Sequence, residues 1–141
     1  MSLWQRMRSL FGQKSAPPPS PSMDLPGDEP EIAVPEITVP EVTVEELREA
    51  LAQAEPPLVL DVRELHEWRL VRMAAARHLP MNDVPAHLES LPRERQVVVM
   101  CAHGSRSYSV AAWLIEQGVN ASSLQGGITQ WARRGGAIEQ G

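Results

Sequence analysis

Residues 96–118 read QVVVMCAHGSRSYSVAAWLIEQG, and this stretch changes from a strand pattern to a helix pattern around one cysteine. Its apolar run, residues 97–100, is rich in β-branched side chains and is typical of a strand buried on both faces of a parallel sheet. From Ser107 onward the apolar residues follow helical spacing, and Gly118 is placed to end the helix. The stretch therefore predicts a strand, a short loop and a helix.

The loop between that strand and that helix predicts a nucleophilic site. A strand that leads into a helix N-terminus collects unpaired backbone N–H groups beside the positive end of the helix dipole, and both favour a bound anion. Cys101, the only cysteine of the chain, lies at the base of this loop, where the same field favours thiolate over thiol. The alternative is an inert cysteine buried at a strand end.

The residues that follow Cys101 favour the reactive site over the inert one. Gly104 permits a turn with positive φ. Ser105 and Ser107 are residues that cap helices well, and Arg106 adds a fixed positive charge. We therefore predict Cys101 as the catalytic residue, and the loop residues after it as the substrate-binding residues, namely Ala102, His103, Gly104, Ser105, Arg106 and Ser107.

This loop resembles the active-site loop of the rhodanese-like (sulfurtransferase) family, in which a cysteine and the residues after it curl around a persulfide sulfur. The match consists of Cys101, Gly104, Arg106 and Ser107. Related cysteine phosphatases have a cradle one residue longer, whereas here only residues 102–105 separate the cysteine from the arginine. The shorter cradle suits a sulfur atom better than a phosphoryl group, so a phosphatase or arsenate reductase is the less favoured alternative.

Two further elements resemble the same family. One is Asp61-Val62-Arg63, which ends a predicted strand over residues 58–62 and is followed by Glu67-Trp68. The resemblance places the strand end under the catalytic loop, with Asp61 and Arg63 as supporting residues. Asp61 accepts hydrogen bonds from its neighbours in this interpretation, and the alternative is that it binds substrate. Gly126 and Gly127 lie in a Leu-x-Gly-Gly-x-x-x-Trp element, where the family's glycines let backbone pass close to the catalytic loop.

The alternation of predicted strands and helices indicates an α/β fold with a parallel sheet. The three elements occur in the family's order over about 100 residues. The resemblance therefore implies a single rhodanese-like domain over residues 42–141, with a central, mostly parallel sheet of about five short strands and helices on both faces.

Local signals predict the remaining elements of this domain. Thr43 and Glu46 form a capping-box signature for a helix over residues 44–54. The other predictions are a helix over 64–70 with Leu65 and Trp68 facing inward, a helix over 85–91 capped by Asp83, a strand over 122–124 and a helix over 128–134. Residues 71–76 lack the glycine and proline that the family carries there, which favours a longer second helix or an altered pocket wall.

Residues 1–41 predict a disordered, proline-rich and acidic tail, because this composition buries too little apolar area to fold. Residues 30–44 contain three weak repeats, PEIAV, PEITV and PEVTV, whose prolines exclude a central strand and favour an extended tether or an edge strand. Only residues 42–44 are expected to join the domain.

At the start of this tail, residues 2–12 predict a short amphipathic helix with a basic polar side. Such a helix is compatible with weak binding to an anionic membrane surface or to a groove of a partner protein. The alternative is an unstructured terminus, because about ten residues are too few for a stable isolated helix.

Composition and charge limit the remaining function classes. Residues 1–55 carry ten acidic and four basic residues, and residues 56–141 carry eight and nine, so the net charge of −5 comes from the N-terminal part. No basic stripe indicates nucleic-acid binding. One cysteine and four scattered histidines favour neither a metal site nor a cofactor. The sequence shows no signal peptide or apolar run of membrane-spanning length, and we therefore expect a cytoplasmic protein.

The resemblance implies a sulfurtransferase without a cofactor. The Cys101 thiolate attacks the sulfane sulfur of a small anionic donor such as thiosulfate, and a thiol or cyanide then removes the sulfur from the Cys101 persulfide. His103 faces outward in the loop mouth, where it either assists binding or is simply solvated. Because the chain has no second cysteine, the acceptor is a separate molecule. The alternative from another class is a non-catalytic interaction module anchored by its tail.

Overall fold

A parallel sheet of five strands runs through the computed structural model, which describes residues 37–141. All four pairs of neighbouring strands are parallel, which confirms the predicted sheet. Across the sheet the strands lie in the order β1 (Glu41–Val42), β6 (Ala121–Leu124), β5 (Val97–Met100), β2 (Leu58–Asp61) and β4 (Ala76–His78).

Four α-helices connect or follow these strands, and two short 3-10 helices lie between β4 and β5 in the described part of the chain. The α-helices are α1 (Val44–Leu51), α2 (Leu65–Leu70), α3 (Ser105–Glu116) and α4 (Gly127–Arg133). The 3-10 helices are Met81–Asp83 and Pro85–Ser90. A small antiparallel pair joins β3 (Val71–Arg72) to β7 (Glu139–Gln140).

The core lies on both faces of the sheet because the side chains of β5 alternate between them. Val97 and Val99 pack with α3 on one face, while Val98 and Met100 pack with α1 and α4 on the other. Trp113 of α3 is fully buried on the first face. The helices therefore cover both faces of the sheet, as the sequence predicted.

The capping box of α1 is confirmed. The Glu46 backbone N–H donates to Thr43 Oγ1 at 3.1 Å, and Glu46 Oε1 accepts from the Thr43 backbone N–H at 2.9 Å. The helix ends at Leu51, three residues before the predicted end.

The predictions for the segment after β2 were wrong at Leu65, at the Asp83 cap and over residues 85–91. Leu65 was expected inside, but it is 45% exposed. None of the side chains of α2 is fully buried. Of the two alternatives for residues 71–76, the longer second helix does not form, because Val71 and Arg72 pair with β7 instead. Asp83 does not cap a helix with its side chain, and the 3-10 helix Pro85–Ser90 replaces the predicted α-helix.

The N-terminal boundary of the folded region lies earlier than predicted. β1 is the edge strand beside β6, and the Pro40 carbonyl accepts a hydrogen bond from the Ser123 N–H at 3.0 Å. Val39 is 5% exposed and packs in the α3-side core, although residue 42 was the predicted start of the domain. The rest of the predicted tail, including the helix predicted over residues 2–12, lies outside the described residues.

Among residues 37–141, no helix is long and apolar enough to cross a membrane.

Candidate active site

The Cys101 sulfur lies inside a ring of hydrogen bonds at the carboxyl end of β5. The backbone N–H groups of Gly104 and Ser107 donate to Sγ at 3.1 and 3.3 Å. Sγ also lies 3.4 Å from the Ser107 hydroxyl oxygen, and the residue is only 1% exposed. The loop therefore curls around the sulfur and presents donors to it, an arrangement that favours negative charge at that atom.

Gly104 sets the direction in which these donors point. Its φ is +113°, and it occupies the N-cap position of α3, which begins at Ser105. Ser105 and Ser107 were predicted as caps, but both lie inside the first turn, because glycine can adopt the positive φ that ends the loop earlier. The Ser107 hydroxyl instead contacts Sγ, the Gly104 carbonyl at 3.2 Å and Ser123 Oγ at 2.8 Å.

The carbonyl groups at the start of the loop are held by α4. The Ile128 N–H donates to the Cys101 carbonyl at 2.9 Å, and the Thr129 N–H donates to the Ala102 carbonyl at 3.1 Å. At Gly127 the two backbones approach so closely that a Cβ atom would lie 2.4 Å from both carbonyl oxygens. Because α4 binds the carbonyl oxygens of Cys101 and Ala102, these two oxygens do not point at the sulfur, and the groups that do are N–H groups.

Asp61 and Arg63 form a buried ion pair beside this loop. Arg63 Nη2 lies 2.8 Å from Asp61 Oδ2, and Arg63 Nε and the Arg63 backbone N–H also donate to the carboxylate. The guanidinium further donates to the carbonyls of Glu67 and Val71. The pair thus fixes α2 and the start of β3 to the end of β2, which is a structural use of Asp61.

Arg106 is held by a residue that was not among the predicted site residues. Both of its terminal nitrogens donate to the Glu67 carboxylate at 2.9 Å. The hydrogen bond from Arg106 lowers the pKa of Glu67 to about 2, and Glu67 in turn raises the pKa of Arg106. The signal that could have found Glu67 was its position four residues after Arg63 in the same family element, together with its place in the α2 capping box.

The other predicted loop residues lie at the mouth of the site. His103 and Ser105 are exposed, and Ala102 is half-buried. The structure therefore brings the loop residues, Asp61, Arg63, Gly126 and Gly127 into one region at the carboxyl edge of the sheet. Within the described range no group of three or more His, Cys, Asp or Glu side chains is placed to bind a metal ion.

Comparison with known proteins identifies a matching family and relatives of this chain. The sequence profile of the family described as rhodanese-like domain matches residues 43–134. The chain is 38% identical over 90 residues to a protein named sulfurtransferase from Allochromatium vinosum, with 63% of this chain and 84% of that protein covered. It is 34% identical over 90 residues to the thiosulfate sulfurtransferase GlpE of Actinobacillus succinogenes, with 63% and 81% covered.

Solved structures show the same likeness. The crystal structure of a rhodanese-like domain protein from Staphylococcus aureus superimposes with a TM-score of 0.66 at 28% identity, covering 73% of this chain and 99% of that chain. A rhodanese-related protein from Thermoplasma volcanium superimposes with a TM-score of 0.65 at 28% identity, covering 71% and 97%.

Proposed function

Because this chain belongs to the rhodanese-like domain family, we propose that it is a sulfurtransferase that carries sulfane sulfur as a persulfide on Cys101. Relatives named sulfurtransferase support an enzyme of this type. The structural observation that carries the proposal is the pair of backbone N–H groups, from Gly104 and Ser107, that point at the Cys101 sulfur. An inert buried thiol has no need of such donors.

In the first step the Cys101 thiolate attacks the outer, sulfane sulfur of a donor such as thiosulfate. A sulfur–sulfur bond forms at Cys101, the sulfur–sulfur bond of the donor breaks, and the electron pair leaves with sulfite. The charge is conserved, since a thiolate and a dianion become a persulfide anion and a dianion. The terminal sulfur extends from Sγ into the ring of loop N–H groups, which stabilise its charge without reorganising.

In the second step a thiolate or cyanide attacks that terminal sulfur. The bond between the two sulfurs breaks, Cys101 leaves as a thiolate, and the acceptor departs as a new persulfide or as thiocyanate. The chain contains one cysteine, and the proposal therefore assigns the acceptor to another molecule.

Arg106 supports the loop in this proposal. Because both of its terminal nitrogens are bound to Glu67, its charge is largely compensated and its side chain links α3 to α2. The loop amides are then the main binding groups for the donor. His103, exposed at the mouth, is free to contact the donor or the acceptor as either enters.

The proposal is tested by incubating the full chain with thiosulfate and cyanide and measuring thiocyanate. Wild type is expected to form thiocyanate, and Cys101→Ser is expected to form none while retaining its fold by circular dichroism. A parallel assay with a phosphate ester distinguishes the phosphatase alternative. Hydrolysis of the ester by wild type without any thiocyanate from thiosulfate or from organic persulfide donors contradicts the proposal.

A further inference from the structure

Two neighbouring serines of β6 are buried inside the sheet. Ser122 is 1% exposed and Ser123 is 2% exposed. A buried hydroxyl is costly unless it has a hydrogen-bond partner, so the partners indicate what each serine does. Ser122 Oγ accepts from Gln96 Nε2 at 3.1 Å, just before β5. Ser123 Oγ instead lies 2.8 Å from the hydroxyl oxygen of Ser107 in the candidate active site.

Ser123 is therefore the end of a buried row of three hydrogen-bonding atoms that begins at the Cys101 sulfur. Sγ lies 3.4 Å from Ser107 Oγ, and Ser107 Oγ lies 2.8 Å from Ser123 Oγ. All three residues are buried, with exposures of 1%, 0% and 2% from Cys101 to Ser123. Because these atoms are buried, water does not compete for their hydrogen bonds, and each hydrogen bond polarises and strengthens the next one.

The direction of the protons in this row depends on the charge of Cys101. A hydroxyl has one proton to donate and two lone pairs that accept. When Cys101 is a thiol, its S–H donates to Ser107 Oγ, and the Ser107 proton points to the Gly104 carbonyl or to Ser123. When Cys101 is a thiolate, Ser107 has to point its only proton at Sγ, and its oxygen is left to accept from Ser123.

We propose that Ser123 is a positioning residue for the Cys101 nucleophile. By donating to Ser107 Oγ, it keeps the Ser107 proton directed at Sγ whenever the sulfur is negatively charged. The inference rests on the proposed function, in which the thiolate attacks the donor and is regenerated when the acceptor takes the sulfur. Ser123 touches no substrate in this account, because it acts through Ser107.

Other charged groups also act on Cys101, and substitution of Ser123 leaves them in place. Arg106 of α3 is bound by Glu67 of α2, and both Cys101 and Glu64 are near enough to raise the pKa of Arg106. The buried pair of Asp61 and Arg63 lies at the end of the neighbouring strand, β2. His103, the remaining titratable side chain of the loop, is exposed.

The test is the pH dependence of Cys101 alkylation by iodoacetamide in the full-length protein. Ser122→Ala is the matched control, because it removes an equally buried hydroxyl from the adjacent position of the same strand. We expect Ser123→Ala to move the pH midpoint of alkylation upward by about half to one unit, which slows the reaction below that midpoint by about threefold to tenfold. Ser122→Ala is expected to leave the midpoint where it is in wild type.

A second pair of variants separates the hydroxyl from the volume of the side chain. Ser123→Thr and Ser123→Val are nearly equal in size, but only threonine retains the hydroxyl. We expect threonine to keep the wild-type midpoint and valine to reproduce the shift of alanine. The proposal is overturned if folded Ser123→Ala or Ser123→Val has the wild-type profile, or if Ser122→Ala shifts as far. Alkylation needs no sulfur donor, so failure of the sulfur-transfer assay in wild type would instead overturn the proposed function.

Discussion

Arg106 and Glu67 join α3 to α2 beside the sulfur, through two hydrogen bonds of 2.9 Å, one from each terminal guanidinium nitrogen. Glu67 also accepts a bond of 2.8 Å from the Glu64 N–H at the start of α2. The two side chains are 34% and 24% exposed, so the pair is only partly screened by water. The pair ties the first turn of α3 to α2.

Replacing Arg106 with lysine is expected to loosen the loop. A lysine keeps the charge but cannot make two parallel bonds to a carboxylate. We expect Arg106→Lys to lower kcat/KM for sulfur transfer by about tenfold. Arg134→Lys is the control, since Arg134 binds Glu45 in an exposed pair on other elements. Equal activity of Arg106→Lys and wild type would show that the two-bond geometry is not needed.

The Glu67 pair also predicts an acid dependence of stability. Arg106 lowers the pKa of Glu67 from 4.5 to about 2 in the folded protein. Because the pKa of Glu67 is lower in the folded than in the unfolded protein, the ion pair stabilises the fold fully at pH values above the unfolded pKa of 4.5. This stabilisation is lost as the pH falls from 4.5 toward 2. Above pH 5 we expect Glu67→Gln to lower the free energy of unfolding by about 1 kcal/mol, because the pair is partly exposed. Urea denaturation from pH 6 to pH 3 should show the difference shrinking, whereas a constant difference contradicts this assignment.

Because the backbones approach so closely at Gly127, we predict that a methyl group added there strongly lowers the free energy of unfolding. Gly127 has φ +61°, and a Cβ there would lie 2.4 Å from the carbonyl oxygens of Cys101 and Ala102. Gly135 has φ +83°, but its Cβ would lie 3.7 Å from its nearest neighbour, a flexible arginine side chain. We expect Gly135→Ala to cost about 1 kcal/mol and Gly127→Ala about 3 kcal/mol or more. Chemical denaturation measures the free energy of unfolding of both variants. Equal losses would show that the backbone shifts enough to relieve the contact at residue 127.

The buried pair of Asp61 and Arg63 predicts a larger loss of stability than an exposed pair does. Asp61→Asn leaves a buried guanidinium without its counter-charge, for which we expect a cost of about 3 to 5 kcal/mol. Arg72 and Glu139 form a comparison pair at 3.3 Å, with Glu139 56% exposed. Glu139→Gln is expected to cost less than about 1 kcal/mol. Thermal or urea unfolding compares the two, and a small effect of Asp61→Asn would argue against a structural role for Asp61.

Features that depend on neighbours in sequence were predictable. The apolar run of β5, the loop after it and the start of α3 carry their signals within residues 96–118. The capping box of Thr43 and Glu46 is likewise a local pattern, and the structure contains it. The resemblance to one family joined these local signals into one mostly parallel sheet of about five strands, and the five-stranded parallel sheet confirms this.

Features that depend on distant residues were not predictable. Leu65 lies on α2, none of whose side chains is fully buried, and residues 71–72 form a strand because residues 139–140 pair with them. Glu67 and Ser123 join the site only through partners 39 and 16 residues away. Hydrophobic periodicity does not encode such contacts. Cytoplasmic location and the binding role of residues 2–12 stay predictions.

The central claim is that Cys101 accepts a sulfur atom and holds it as a persulfide. The most direct measurement is mass spectrometry of the intact full-length protein after incubation with thiosulfate, followed by peptide mapping. We predict a gain of about 32 Da on the peptide containing Cys101, reversed by cyanide and absent from Cys101→Ser. Wild type that gains no mass with thiosulfate or with organic persulfide donors would contradict the account.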